Sequence, residues 1–189
     1  MRIEIEWPPW VVEETRRIDK LASQLERMAF VVRLSELNLQ HASGGPFAAA
    51  VFDRRDHALV AAAPNLVLRS GYAIAHAELL ALALAQRVRG VFDLSEDGGS
   101  YELVTSAEPC AMCLGAGCWS GITALVCAAR AEDVEAIGFD EGPKPVNWRT
   151  ALADRGIEVT CNVLRDEAVA VLTRYRGAGG VIYNGRATR

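Results

Sequence analysis

Three observations in the sequence predict an α/β domain built on one mixed sheet with helices on both faces. Apolar residues recur at helical spacing over residues 10–40. Two short apolar runs flanking residues 54–56 read as a hairpin. From residue 73 onward, helical and strand-like segments alternate, which is the pattern of a sheet covered on both sides.

Taken in order, the first helix (10–40) rests on Val11, Ile18, Leu21, Leu25, Met28 and Val32, with Glu13, Arg16, Lys20 and Glu26 on its other faces. Pro8 and Pro9 stand where a helix start tolerates proline. Ser43-Gly44-Gly45-Pro46 must be a loop. Residues 47–53 and 59–63 form the hairpin, and 64–72 is irregular. Residues 73–89, rich in Ala and Leu without Gly or Pro, are a helix. An acidic, Gly-containing loop (93–100) precedes a strand at 101–105, and Pro109 opens the next helix. A strand (122–128), a short helix (131–136), a loop (139–145), a helix (148–155), a strand (157–163) and a last helix (165–176) follow. Residues 177–189 form a tail, and no repeat or linker divides the chain, so 1–189 is expected to be one domain.

The 189 residues are 51% apolar and 23% charged, enough for a core without covalent staples and too apolar for a disordered chain. No apolar run reaches the roughly 18 residues of a membrane span. The first ten residues hold two Glu and two Pro, unlike a signal peptide. Five cysteines in such a chain argue for a reducing, cytoplasmic setting rather than a disulfide framework. The net charge is −4 and only two of the 20 basic residues are lysine, which argues against a nucleic-acid partner.

Chemistry concentrates in two segments, His76-Ala77-Glu78 and Pro109-Cys110-Ala111-Met112-Cys113, each at the start of an expected helix. Cys110 and Cys113 are three apart, so on a first helical turn their sulfurs point the same way. The helix dipole there favours the thiolate, the form that binds metal. Alone, Cys-x-x-Cys reads equally as a thioredoxin-like redox pair. A catalytic zinc site needs a third protein ligand and an open position, and His76 is the candidate ligand. Glu78, two residues on, can approach the open position and move a proton there.

The paired H-x-E and P-C-x-x-C segments are the signature of zinc-dependent nucleobase deaminases, and residues 46–176 resemble the cytidine deaminase-like superfamily. The resemblance covers about two thirds of the chain. It implies a three-layer α/β/α fold with a five-stranded mixed sheet and one Zn²⁺ bound by His76, Cys110 and Cys113, with Glu78 as proton shuttle. It also implies a homodimer, for which the long first helix offers apolar surface.

Within the superfamily, Ser106 to Ala116 resembles the zinc helix of bacterial guanine deaminases and, less closely, that of tRNA adenosine deaminases. Gly45-Pro46-Phe47 is similar to the guanine deaminase strand start. Asn65 lies where both groups place an amide against the base. Gly138-Phe139-Asp140-Glu141 and the tail Gly179 to Asn184 look like a subset of guanine deaminases in which a second acid and the C-terminal segment close the pocket. The resemblance thus implies Glu141 as a second catalytic acid and Asn65, Phe47, Ala77 and Tyr183 as substrate contacts.

Each has a plainer reading. Phe47 can be core, Asn65 a turn residue after Pro64, Glu141 part of an acidic loop, and the tail a frayed end. Cys118, Cys127 and Cys161 read as buried small hydrophobes, Trp148 as core, and His41 and His57 as solvent-facing. The expected reaction is hydrolysis of a free nucleobase, guanine to xanthine and ammonia, with amino-triazines such as ammeline as a side activity. The alternatives are a tRNA adenosine deaminase, kept open by Arg165, Arg174, Arg176, Arg186 and Arg189, a cytosine-type pyrimidine deaminase, or a non-catalytic zinc module.

Overall fold

The computed structural model describes residues 4–185, so Arg186 and Arg189 lie outside the described residues. Two helices, α1 (Pro9–Arg16) and α2 (Gln24–Gln40), precede the hairpin β1 (Ala48–Asp53) and β2 (Leu59–Pro64). Then come α3 (Val67–Ser70), α4 (Ala77–Arg89), β3 (Tyr101–Ala107), α5 (Ala111–Trp119) and β4 (Ala124–Ala129). The chain continues through α6 (Ala131–Ala136), α7 (Trp148–Ala153), β5 (Glu158–Thr160) and α8 (Arg165–Gly177). The five strands form one mixed sheet in the order β2-β1-β3-β4-β5. β1 runs antiparallel to β2 and β3, whereas β3, β4 and β5 are parallel.

Alternation along the strands divides the core in two. Ala48, Ala50 and Phe52 of β1 face α2 and α8, packing with Met28, Val31, Leu34, Val171 and Leu172. Ala49 and Val51 face the other way, towards Ala77, Ala81 and Leu82 of α4 and Leu114 of α5. Helices therefore cover both faces, giving the three-layer α/β/α architecture. The alanines of β1 and β2 leave room for both helical layers to approach the sheet closely.

The single helix expected over 10–40 is two. After Arg16 the chain leaves the helix to run along the sheet edge: Lys20 bridges Ala58, and Leu59 N donates to Asp19 O at 2.9 Å. It restarts at Ser23, whose hydroxyl accepts from Glu26 N at 3.2 Å while Glu26 accepts from Ser23 N at 2.8 Å, a reciprocal capping box. Most apolar residues of α2 are buried in this chain's own core, while Leu25 stays 60% exposed. Smaller corrections concern α3, a short helix inside the stretch expected to be irregular, and Cys118 and Cys161, which are only half-buried. Cys127 and Trp148 are core. His41 is exposed but stacks on Trp10, with ring centroids 5.3 Å apart.

Arg27 anchors the restart. Its guanidinium donates to Leu21 O at 2.8 Å and Ala22 O at 2.9 Å and contacts the Glu102 carboxylate of β3, with both side chains under a tenth exposed. Arg27→Met should therefore cost about 3–5 kcal/mol, because it leaves Glu102 charged and alone in the core. Urea unfolding checks this, and a second change, Glu102→Leu, should recover much of the loss.

Candidate active site

The topology collects the site at one end of the sheet. The register pairs Ala48 with Pro64 and Ala49 with Thr105, so the start of β1 and the ends of β2 and β3 lie side by side. Phe47, Asn65 and the segment before Cys110 extend from those three strand ends. The site thus lies beyond the carboxyl end of β3, beside the point where pairing changes from antiparallel to parallel, where ligands of open α/β sheets bind.

His76 and Cys110 are the N-cap residues of α4 and α5, both in extended backbone conformation, and Cys113 lies in the first turn of α5. His76 Nδ1 lies 3.6 Å from Cys110 Sγ and 3.5 Å from Cys113 Sγ, and all three donor atoms fall within 4.8 Å of one another. Tetrahedral zinc with Zn–S near 2.3 Å and Zn–N near 2.05 Å separates N and S ligands by about 3.6 Å. The three residues therefore fit zinc by spacing as well as by donor type. The Cys113 contact is the largest influence on the Cys110 thiol, and with His76 beside it the thiol is lowered to about 4 despite burial, so Cys110 is a ready thiolate.

A cavity of about 640 Å³, within the range of small-molecule sites, opens over this triad. His76, Glu78 and Cys110 line its floor, and Glu141, Asn65, Phe47 and Tyr183 its walls. Glu78, in the first turn of α4, is buried, and burial pushes its carboxyl up. Glu141 is buried as well, and burial pushes it to about 8, against the pull of Lys144. Its backbone carbonyl accepts from Ala111 N at 2.9 Å, tying the 139–145 loop to the start of α5.

Asn65 is a turn residue that also faces the cavity. Its Oδ1 accepts from Val67 N at 3.2 Å, shaping the turn into α3, and the buried side chain still lines the cavity. Phe47 likewise lines the cavity while packing edge-on against Phe139 with centroids 5.1 Å apart. Tyr183 packs on Phe139 from the tail, and its buried hydroxyl has no hydrogen-bond partner. Any side chain at Gly45 would run into that hydroxyl, so the glycine is required for the tail to seat. The tail is held over its own chain's cavity by Asn184, which donates to Gly138 O at 2.9 Å and accepts from Asp140 N at 2.9 Å. Ala77 differs from the rest. Its methyl is in the core among Ala81 and Leu82, so it can offer a ligand only the backbone N–H of the first helical turn.

Two residues of the site, Lys144 and Asn38, go unmarked in the sequence, and a third, Phe139, has a larger part than its motif suggests. Phe139 is the hub on which Phe47, Tyr175 and Tyr183 pack, although it had appeared only inside a motif. Lys144 sits against Glu108 and Glu141. Asn38 of α2 donates to Gly45 O at 2.7 Å and Asn65 O at 2.9 Å, fixing both loops that carry cavity residues. Only the buried-helix position of Asn38, a polar residue among apolar ones, could have signalled it.

Comparison with known proteins agrees with this geometry. The model of the cytidine and deoxycytidylate deaminase zinc-binding region matches residues 22–129. Guanine deaminase of Bacillus subtilis is 38% identical over 113 residues, spanning 57% of this chain and 69% of that protein. The solved structure of guanine deaminase from Nitrosomonas europaea is 51% identical with a TM-score of 0.90, covering 93% of this chain and 97% of that one. A structure solved in complex with 2,6-diaminopurine is 52% identical with a TM-score of 0.91, covering 98% of each chain. A zinc-ligand triad at two helix starts, the five-stranded α/β/α fold and these likenesses converge: the chain belongs to the cytidine and deoxycytidylate deaminase zinc-binding family.

Proposed function

We propose that the chain hydrolyses guanine to xanthine and ammonia. The observation that carries this reading is a pair of buried carboxylates, Glu78 and Glu141, lining one cavity with the metal triad. When bound at His76, Cys110 and Cys113, zinc supplies Lewis acidity that makes water nucleophilic near neutral pH. Glu78 takes the proton of the attacking water and delivers it to the ring nitrogen. Glu141, protonated below about 8, gives a proton to the departing amine as the carbon–nitrogen bond breaks, and regains one from the C2 hydroxyl as the xanthine carbonyl forms. With its oxygen committed to Val67, Asn65 offers its NH₂ group as a donor to the purine edge. Phe47 supplies aromatic surface to the ring, and Tyr183 closes the wall that keeps bulk water out. Ala77 contributes its backbone N–H alone.

Ammonia release from guanine, guanosine, cytosine, ammeline and a tRNA tests the assignment. Guanine should turn over fastest, ammeline more slowly. Faster turnover of cytosine, or of the tRNA with steep salt dependence, would replace this reading with one of the alternatives. A reducing, cytoplasmic setting is part of the proposal, supported by five free cysteines of which two serve as candidate metal ligands. Separately, among the described residues no helix is long and apolar enough to cross a membrane.

Closure by the tail is part of the proposal. Truncation after Gly180 removes Tyr183 and Asn184, and kcat/KM for guanine should fall at least tenfold, about 1.4 kcal/mol of transition-state binding. Unchanged steady-state kinetics would show that the tail is not a lid.

We also propose a homodimer, on a different surface from the one first expected. Phe92 is 77% and Trp119 84% exposed, and the segments carrying them are joined by Leu94 N donating to Ser120 O at 2.9 Å. Two aromatic side chains left in water on neighbouring segments suit an interface. Trp119→Glu should shift the sedimentation coefficient to that of a monomer.

A further inference from the structure

Lys144 is one of two lysines in the chain, and its side chain is only 10% exposed. Burying an ammonium is costly unless its donors and charge are met. Its Nζ donates to Pro109 O at 3.1 Å and lies 3.6 Å from the Glu108 carboxylate, 3.7 Å from Glu141 Oε2 and 5.3 Å from the centre of the Trp148 ring. These neighbours are not equivalent. Glu108 is satisfied without Lys144: Arg149 donates to it at 2.6 Å and Ala131 N at 3.4 Å. Glu141 Oε2, in contrast, is buried and has no hydrogen-bond partner. With Glu108 met by Arg149, the Lys144 charge is left to act on Glu141 Oε2 across a gap too long for a hydrogen bond: it faces the carboxyl oxygen while the acid holds its proton, and pairs with the carboxylate once the proton has been given up.

The mooring also has direction. Lys144 is bonded to the carbonyl immediately before Cys110, and the Glu141 carbonyl is bonded to the N–H immediately after it. Side chain and loop are thus both referenced to the helix start that carries two metal ligands.

We propose that Lys144 is a positioning residue for the second carboxylate: moored by Glu108 and the Pro109 carbonyl, it holds Glu141 Oε2 and so directs the other carboxyl oxygen at the leaving amine of the substrate. This rests on the reading of Glu141 as the second acid, and Lys144 itself touches no substrate. Because it acts through Glu141, its effect belongs in kcat and should vanish when Glu141 can no longer donate a proton.

The test is steady-state ammonia release from guanine by the zinc-loaded full chain. Lys144→Met should lower kcat roughly 10- to 100-fold with KM changed less than about threefold, as misplacing a reacting group does. Lys144→Arg should restore most of the rate. Adding Lys144→Met to Glu141→Gln should lower kcat less than about twofold further, since the two act as a unit. Lys144→Gln keeps a donor for Pro109 O and should lose kcat like the Met variant, which covers failure of the latter to fold. Wild-type kcat in either uncharged variant, a loss confined to KM, or losses that multiply in the double variant would overturn the proposal. Wild-type kcat in Glu141→Gln alone would instead remove the second-acid reading, and the role of Lys144 with it.

Discussion

Glu78→Gln is expected to lower kcat for guanine by about 10³- to 10⁴-fold, with zinc content and fold unchanged. The loss corresponds to about 4–5.5 kcal/mol of barrier. Glu78 sits two residues after His76 in the first turn of α4, buried at the floor of the cavity and outside the triad that fits zinc. Burial raises its carboxyl from the ordinary range, which moves it towards the neutral pH at which a shuttle must both accept and give a proton. Glutamine keeps the volume and one acceptor oxygen and can do neither. Metal analysis on the purified variant, run beside ammonia release, separates the two possible failures. Zinc retained with a rate above about a tenth of wild type would assign the proton transfers to another group, Glu141 being the first candidate.

The parts of the molecule legible in the sequence are those whose chemistry is local. His76, Glu78, Cys110 and Cys113 were readable because each pair lies within one helical turn, where spacing in sequence is spacing in space. Asn65 and Phe47 were readable only by resemblance, since nothing near them in the chain says that three strand ends meet there. The break between α1 and α2 was missed because Ile18 and Leu21 continue the helical period across it, while the edge pairing of Lys20 with Ala58 is a tertiary event. The sequence did carry a signal, Ser23 followed by Glu26, the capping box that restarts the helix. Phe139 and Lys144 offered no comparable signal. Phe139 becomes a hub only when α8 and the tail fold over it, and Lys144 acquires its role from two carboxylates brought together by the loop before α7.

Removal of the metal should abolish turnover altogether and reveal how much of the fold leans on it. Cys113→Ala leaves two donors, one fewer than a catalytic zinc site requires, so the purified variant should carry little zinc and release no measurable ammonia. Chelation of the wild type with dipicolinate should do the same, reversibly on adding Zn²⁺, whereas the variant should not recover. Thermal stability should fall in both. At free zinc 1,000 times its dissociation constant the metal contributes about 4.1 kcal/mol to the folded state, and that contribution disappears with it. The pH dependence separates the ligands. Burial pulls His76 down, but its contacts with Cys110 and the charges of Glu78 and Glu141 outweigh burial and hold it above its ordinary 6.5. Cys110 is held at about 4. As pH falls through the raised His76 value a proton competes with the metal for the imidazole, while the Cys110 thiolate persists to lower pH. The Cys113 thiol, pushed up by its contact with Cys110 and by burial, must also lose its proton to bind, so zinc affinity in competition titrations falls with pH throughout; it should fall about a further tenfold per pH unit once His76 begins to protonate, and that added slope should vanish in His76→Asn. No steepening through that range would mean that His76 is not a ligand, and the triad at the two helix starts would have to be redrawn around another residue.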